Sequence, residues 1–213
     1  MIGTEGEARA YVAGWADQVA LERLDCLLAC LIEENARQNL VAAATLSMVW
    51  QRHIADSAQL LAHVPRETAP GLWMDLGSGA GFPGLVLAAL RPDDPVILVE
   101  SRRKRIDWLE RMVAELELGN CRVEGKRLEQ VETVPAGVIT ARAFAPLRTL
   151  VQLSARFSTA HTLFLLPKGR SAAQELDNMP KRIRQTFHVE QSLTDPQAGI
   201  LVGRLSKEAR GQP

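Results

Sequence analysis

DLGSGAGFPG, residues 75–84, places four glycines in ten positions. Glycine at that density costs backbone entropy, and it is kept where a chain turns sharply or something approaches the backbone closely. Just before it, LWMDLG (72–77) is short and apolar, as a strand is. Just after it, FPGLVLAAL (82–90) reads as a helix, with Pro83 tolerated in the first turn because its missing N–H bonds nothing there. A glycine-rich turn between strand and helix opens a doubly wound α/β sheet and predicts a ligand against the turn.

The chain keeps this alternation downstream. VILVE (96–100) is apolar and β-branched, as expected of a strand covered on both faces. Ser101 is placed to cap a helix whose apolar stripe is Ile106, Leu109, Met112, Val113 and Leu116 and which Gly119 ends. CRVEG (121–125), GVITAR (137–142) and HTLFLLP (161–167) are further strands, with a helix over 146–157. QTFHVEQSL and GILVGRLS read as two more strands around the turn signal TDPQAG. These elements predict an α/β fold: a Rossmann-like, mostly parallel seven-stranded sheet with an antiparallel edge. Residues 5–62 read as helical instead. Leu21, Leu24, Leu27, Leu28, Leu31 and Ile32 form one stripe of helical period, and a second helix starts at about Ser47. Pro65 and Pro70 mark a loop. The expected organisation is an N-terminal helical extension, 1–66, packed on a core domain, 67–213.

Composition bounds the function. With 213 residues, 46% hydrophobic and 23% charged, the chain has the make-up of a soluble globular protein. No apolar run reaches the roughly 18–20 residues that span a bilayer, and MIGTEGEARA lacks the basic and apolar regions of a signal peptide. Cys26, Cys30 and Cys121 make no even framework and read as buried free thiols in a reducing cytoplasm. Neither CxxC nor a His pair at ligand spacing is present, so no metal site is expected. The formal net charge is zero, which argues against gross attraction to nucleic acid. Yet residues 1–40 are acidic, while RRKR (102–105), Lys126 and Arg127, Arg142 and Arg148, KGR (168–170) and KRIR (181–184) are basic. That gradient fits a protein touching phosphate with one face.

Two cofactor classes use such a turn. Dinucleotides read GxGxxG with pyrophosphate on the helix end, whereas S-adenosylmethionine enzymes commonly show an acidic residue and then GxGxG. Here Asp75 stands two positions before Gly77, followed by Gly79, Gly81, Phe82 and Gly84, which favours the methyl donor. Glu100, about 20 residues beyond the turn at a strand end, is placed to accept ribose hydroxyls. Leu128 and Glu129 lie where an apolar face and polar contacts would cover an adenine.

The acceptor is narrowed by what is missing. Strand four ends in TARAFAP, without the [DNS]-P-P-[YF] box that accepts hydrogens from an exocyclic amine. Carbon-5 methylation of pyrimidines needs a cysteine nucleophile at the site, and Cys121 falls early in strand three. Ribose methylation usually uses an Asp and two Lys, where this chain offers Arg142. What remains is a nucleophile that needs no base, of which the 7-nitrogen of guanine is one. Arg142 and Lys168 are the candidate catalytic residues: Arg142 would orient base or cofactor, and Lys168 would hold a phosphate. Arg102, Arg103, Lys104, Lys168 and Arg170 are candidate RNA contacts. Aromatic residues are few, so a stacking platform for long single strands is not expected, but one flipped base could stack near Phe144.

NL (39–40), RHIADS (52–57), DLGSGAGFPG, SRRKRIDWLERM, ARAFAPL and LLPKG occur here in that order. In this the chain resembles the glucose-inhibited division protein B family, the small-subunit (16S) ribosomal RNA methyltransferase G family. The resemblance is strong over residues 35–170 and looser over the rest. It implies a guanine-N7 methyltransferase acting on 16S ribosomal RNA or the small subunit; the protein is separately expected to be a monomer in the cytoplasm. It implies S-adenosylmethionine contacts at Gly77, Phe82, Leu128, Glu129 and Arg142. His53 and Asp56 match RHIxDS and read as a hydrogen-bonding pair joining the two parts of the chain. Where that family often has Thr after NL, this chain has Val41. Two other readings are weaker: an NAD-dependent oxidoreductase, disfavoured by the position of Asp75, and a non-catalytic RNA-binding or ribosome-assembly factor, which need not keep the glycine turn and Glu100.

Overall fold

The computed structural model describes residues 1–65 and 71–206; Pro70 and the expected boundary at 66–67 lie outside the described residues. The N-terminal segment starts with α1 (Glu5–Ala13), held by a capping box in which Thr4 Oγ1 accepts from the Glu7 N–H and the Glu7 carboxylate accepts from the Thr4 N–H. Asp17 caps α2 (Gln18–Asn35) through the Ala20 N–H. Leu24, Leu27, Leu28 and Leu31 of the expected stripe are buried, but Ile32 is 51% exposed and Leu21 is half-buried. At 100° per residue those two sit on the stripe's flank.

The second expected helix is not one helix. Residues 43–63 run through a 3₁₀ stretch (Ala43–Met48), a π-helical stretch (Trp50–Ala55), the short α3 (Asp56–Ala58) and another 3₁₀ stretch (Gln59–His63). A long-range partner accounts for the irregular start: the Glu5 carboxylate accepts from the Trp50 and Gln51 N–H groups at 3.0 and 2.8 Å, tying this segment to α1.

The strands are β1 (Trp73–Leu76), β2 (Val96–Val99), β3 (Cys121–Glu124), β4 (Ala136–Thr140), β5 (Ser158–Gly169), β6 (Phe187–Gln191) and β7 (Gly199–Gly203). They form one seven-stranded sheet in the order β3-β2-β1-β4-β5-β7-β6. β1 to β5 are parallel, and β7 runs antiparallel to β5 and β6, one place in from the edge. The helices are α4 (Gly84–Leu90), α5 (Arg103–Glu115), α6 (Leu147–Ser154), α7 (Ala172–Asp177) and α8 (Lys181–Arg184). The alternation within β1 divides the core. Trp73 joins Leu85, Leu98, Trp108 and the N-terminal helices on one face, while Met74 and Leu76 join Ile97, Phe157 and Phe164 on the other.

Two helix ends differ from expectation. Ser101 does not cap α5; Arg102 is the cap residue, and the Glu100 carboxylate takes both the Ser101 and Arg102 N–H groups. The serine stands one residue before the cap position. α5 stops at Glu115, and Glu117, not Gly119, takes the left-handed conformation (φ 50°) that turns the chain. Among the described residues no helix is long and apolar enough to cross a membrane. Nor does any group of three or more His, Cys, Asp or Glu stand placed to hold a metal ion. Cys121 is buried, and Cys26 and Cys30 are half-buried.

Candidate cofactor and substrate site

The glycine turn sits where β1 meets β2 and β4, at the carboxyl ends of the strands, the usual ligand position in such sheets. The N–H groups of its four glycines are occupied by the protein itself. Gly77 donates to Val99 O, Gly81 to Ser78 O, Gly84 to the Asp75 carboxylate, and Gly79 to the Glu100 carboxylate at 3.0 Å. A pyrophosphate cradle needs such donors free, so this turn suits a ligand that does not rely on them. Gly77 has φ +69°, and a Cβ there would stand 2.4 Å from Phe144 Cδ2. The close approach that glycine permits at this position is that of the Phe144 ring. At Gly79 a Cβ would meet nothing nearer than Gly77 O at 3.7 Å, so that face is open.

Over the turn lies a cavity of about 320 Å³, within the ~300–1,000 Å³ of small-molecule sites. Gly77, Gly79, Phe82, Glu100, Leu128 and Arg142 all line it. Two expected cofactor residues do not. Asp75 is 1% exposed beneath the turn, accepting from Thr140 Oγ1 at 2.8 Å and from the Gly84 N–H; burial pushes its carboxyl up to about 6, against the pull of those bonds. It shapes the turn from behind. Glu129 is exposed and outside the lining, because the 3₁₀ turn Leu128–Gln130 points Leu128 inward instead. The lining suits S-adenosylmethionine: Leu40, Phe82 and Leu128 give an apolar wall for a base, the Glu100 carboxylate suits hydroxyls, and Arg142, Arg102 and Arg105 suit a carboxylate.

Arg142 follows β4 by two residues and is the most elaborately held side chain here. Its Nη1 donates to Arg52 O at 3.3 Å and lies 3.3 Å from His53 Nδ1 and 3.6 Å from Asp56 Oδ2. Its guanidinium carbon stands 5.2 Å from the centre of the Phe82 ring, on which His53 stacks at 5.0 Å. Thr45 Oγ1 donates to Ala42 O, so it accepts from His53 Nε2 at 2.8 Å; that fixes the proton on Nε2 and leaves Nδ1 bare for Arg142. Burial, then the charges of Arg142 and Arg52, lower His53 to about 3, so its imidazole is neutral. Asp56 Oδ1 accepts from Thr194 Oγ1 and Gln59 Nε2 at 2.7 and 2.9 Å. His53 and Asp56 thus join the two parts of the chain, each through Arg142 and not through one another.

Beside the cavity runs a larger groove of about 1070 Å³. The two share Leu40, Arg142, Ala143 and Phe144. Ala143 lies in the left-handed region (φ 53°), which brings Phe144 back over Gly77. Lys168 reaches the groove but is no free surface cation. Its side chain is 8% exposed, and its Nζ donates to Ala145 O at 2.7 Å and pairs with Glu175 at 3.0 Å. Burial alone would raise the Glu175 carboxyl, but the bonds from Lys168, Ser171 and the Leu147 N–H hold it below the usual range. Lys168 therefore pins the 143–146 loop from behind. Arg170 is exposed at the groove rim, and Arg102, Arg103 and Lys104 are exposed at the start of α5, with Arg103 paired to Asp107.

The sequence reading missed Leu40, Ser101, Arg105 and Lys126 in the cavity wall. Leu40 belongs to the NL stretch, to which no chemistry was attached, and Arg105 was counted with its exposed neighbours although it is half-buried in the cavity wall.

Comparison with known proteins places this arrangement. The family profile described as rRNA small subunit methyltransferase G matches residues 20–199. The protein named ribosomal RNA small subunit methyltransferase G in Erythrobacter litoralis is 62% identical over 204 residues, covering 96% of this chain and 98% of its own. Its namesake in Novosphingobium aromaticivorans is 56% identical, covering 95% and 89%. A crystal structure of a SAM dependent methyltransferase from Aquifex aeolicus, 12% identical, superimposes with a TM-score of 0.56 over 80% of this chain and 96% of that one, a likeness of fold. With that coverage, the chain belongs to the rRNA small subunit methyltransferase G family.

Proposed function

We propose that the cavity over the glycine turn holds S-adenosylmethionine, that the adjoining groove takes a guanine of 16S ribosomal RNA, and that the 7-nitrogen of that guanine is methylated where the two meet. As a member of its family the chain is an S-adenosylmethionine-dependent rRNA methyltransferase, and guanine N7 is the family's target. The observation that carries the spatial reading is Arg142, which lines cavity and groove alike and is fixed by His53, Asp56 and Phe82.

When bound, the cofactor supplies an electrophilic methyl group on a sulfonium. Gly77, Gly79, Phe82, Glu100 and Leu128 bind and orient it, with Asp75 shaping the turn from below. Arg142 aligns the reacting partners, so catalysis is mainly positioning. No residue need take a proton, because the 7-nitrogen of guanine already carries a free lone pair. His53, held neutral, is not a base but a support for Arg142. Phe144, between cavity and groove, offers a face for the target base. Arg102, Arg103, Lys104 and Arg170 meet the RNA backbone, and Lys168 acts on the 143–146 loop. The protein is read as a monomer acting in the cytoplasm, where such RNA is met.

The test is chemical. RNA labelled by the protein with methyl groups, then treated with borohydride and aniline, is expected to break at the modified guanine. Methyl incorporation without breakage would move the target to an amine or a ribose.

A further inference from the structure

Residues 36–42 carry the NL stretch, and the structure ties them down on both sides. Asn35 Oδ1, at the end of α2, accepts from the Leu40 and Val41 N–H groups at 2.8 and 2.9 Å. From α5, Arg105 Nη2 donates to Asn39 O, and Lys104 O accepts from Gln38 Nε2 at 3.3 Å. Downstream, Thr45 grips Ala42 O and reaches His53, hence Arg142. The result is a strap laid from α2 across α5 to the Arg142 cluster.

Leu40, in the strap, is among the described residues the one of the N-terminal segment that lines the cavity, and it lines the groove as well. Arg105 lines the cavity too, and its Nη1 is buried without a hydrogen-bond partner. A buried guanidinium nitrogen left unsatisfied is costly, and an acceptor brought by a ligand relieves it.

Resting on the cofactor reading above, we infer that Leu40 and Arg105 are cofactor-contacting residues, and that Leu40 is the shared wall through which cofactor and RNA binding are coupled. Leu40 packs against the cofactor on one side and borders the RNA on the other. A cofactor that settles Arg105 also settles Asn39 O, and with it the groove side of Leu40. Coupling of this kind is reciprocal: each ligand tightens the other by the same factor.

The experiment titrates S-adenosylhomocysteine, which has no methyl group to transfer, into the full chain with and without saturating 16S rRNA, and titrates the RNA with and without S-adenosylhomocysteine. In the wild type, each is expected to tighten the other by about fivefold or more. Leu40→Ala is expected to raise the Kd of S-adenosylhomocysteine roughly tenfold and bring the coupling factor close to one. Leu40→Met should restore both to within about twofold, since it refills the wall with similar volume. Arg105→Gln should weaken S-adenosylhomocysteine roughly fivefold through the lost charged donor. Melting curves check that each variant folds; should Leu40→Ala not fold, Leu40→Val and Arg105→Gln replace it, each expected to raise the Kd roughly fourfold to fivefold and to lower the coupling factor. Wild-type binding without coupling, or Leu40→Ala with wild-type Kd and coupling, would overturn the inference and leave the proposed function standing. Failure of the wild type to bind S-adenosylhomocysteine would overturn the cofactor reading itself, and this inference with it.

Discussion

Arg142 and His53 face each other across the seam between the sheet and the N-terminal segment, with Nη1 and Nη2 of the arginine 3.3 and 3.4 Å from Nδ1 of the histidine. The contact needs a neutral ring with that nitrogen bare, and Thr45 and burial provide it. The N-terminal segment therefore aims a cation that the sheet contributes. Arg142→Ala is expected to slow single-turnover methylation about a hundredfold, with a smaller effect on RNA affinity. Arg142→Lys should recover only part of the rate, because an ammonium cannot keep both contacts of the fork. With cofactor and RNA saturating, the wild-type rate should be nearly flat from about pH 6.5 to 8.5, since no base titrates. Rapid-quench assays with labelled cofactor measure all three, and a bell-shaped profile would put a proton-accepting group back into the mechanism.

His53 should also mark the stability of the fold. Its folded value of about 3 lies below the ordinary 6.5, so over that interval the unfolded chain binds a proton that the native state refuses. Stability from this group is present above about pH 6.5 and is lost as pH falls toward 3. Asp75 acts in the other direction. Its folded value of about 6 exceeds the ordinary 3.8, so the stability it contributes is present below 3.8 and is lost as pH rises through 6. Comparing wild type with His53→Gln isolates the histidine. Urea midpoints between pH 6.5 and 4.5 should fall less steeply in the variant; equal slopes would mean that His53 is not held neutral.

Gly77 separates packing from binding. Gly77→Ala meets both the positive φ and the Phe144 ring, 2.4 Å from the new carbon. The cost should be about 2–4 kcal/mol, from left-handed strain together with overpacking. The double variant Gly77→Ala/Phe144→Ala should recover the packing share and leave the strain, as read by denaturant midpoints. No recovery would mean that the ring is not what glycine makes room for.

The exposed cations at the start of α5 should show in salt titrations. Replacing Arg102, Arg103 and Lys104 together by Gln is expected to reduce the slope of log K against log salt by about two for RNA, with S-adenosylhomocysteine binding changed less. An unchanged slope would move the RNA surface to the rim around Arg170.

Strands and the glycine turn were legible because a strand buried on both faces leaves an unbroken apolar run, and VILV and LFLL carry it. Gly79, Phe82, Glu100 and Leu128 were legible as site candidates because local order, strand then turn then acid, places them. Asp75 was read correctly as part of the turn but not as its underside, since which way a strand residue points depends on what packs behind it, here Thr140. Lys168 reads as free until the fold brings Glu175 to it. Leu40 and Arg105 meet only after α2 and α5 pack, and no periodicity encodes that meeting. The broken helix over residues 43–63 has the same cause, since its partners Glu5 and Thr194 are distant in sequence.

Those distant partners have a temporal meaning. Ile2 N–H bonds Leu193 O at 2.7 Å, Gln51 reaches Thr194 O, Arg52 pairs with Asp195, and Gln59 takes the Leu193 N–H. The N-terminal segment thus docks on a turn more than a hundred residues downstream of it. On the ribosome the bonds to that turn cannot form until six of the seven strands have emerged. Contacts so far apart along the chain slow folding. A nascent chain cut short before residue 193 would keep the His53 and Asp56 that aim Arg142 but would lack the Thr194 and Asp195 that anchor their segment.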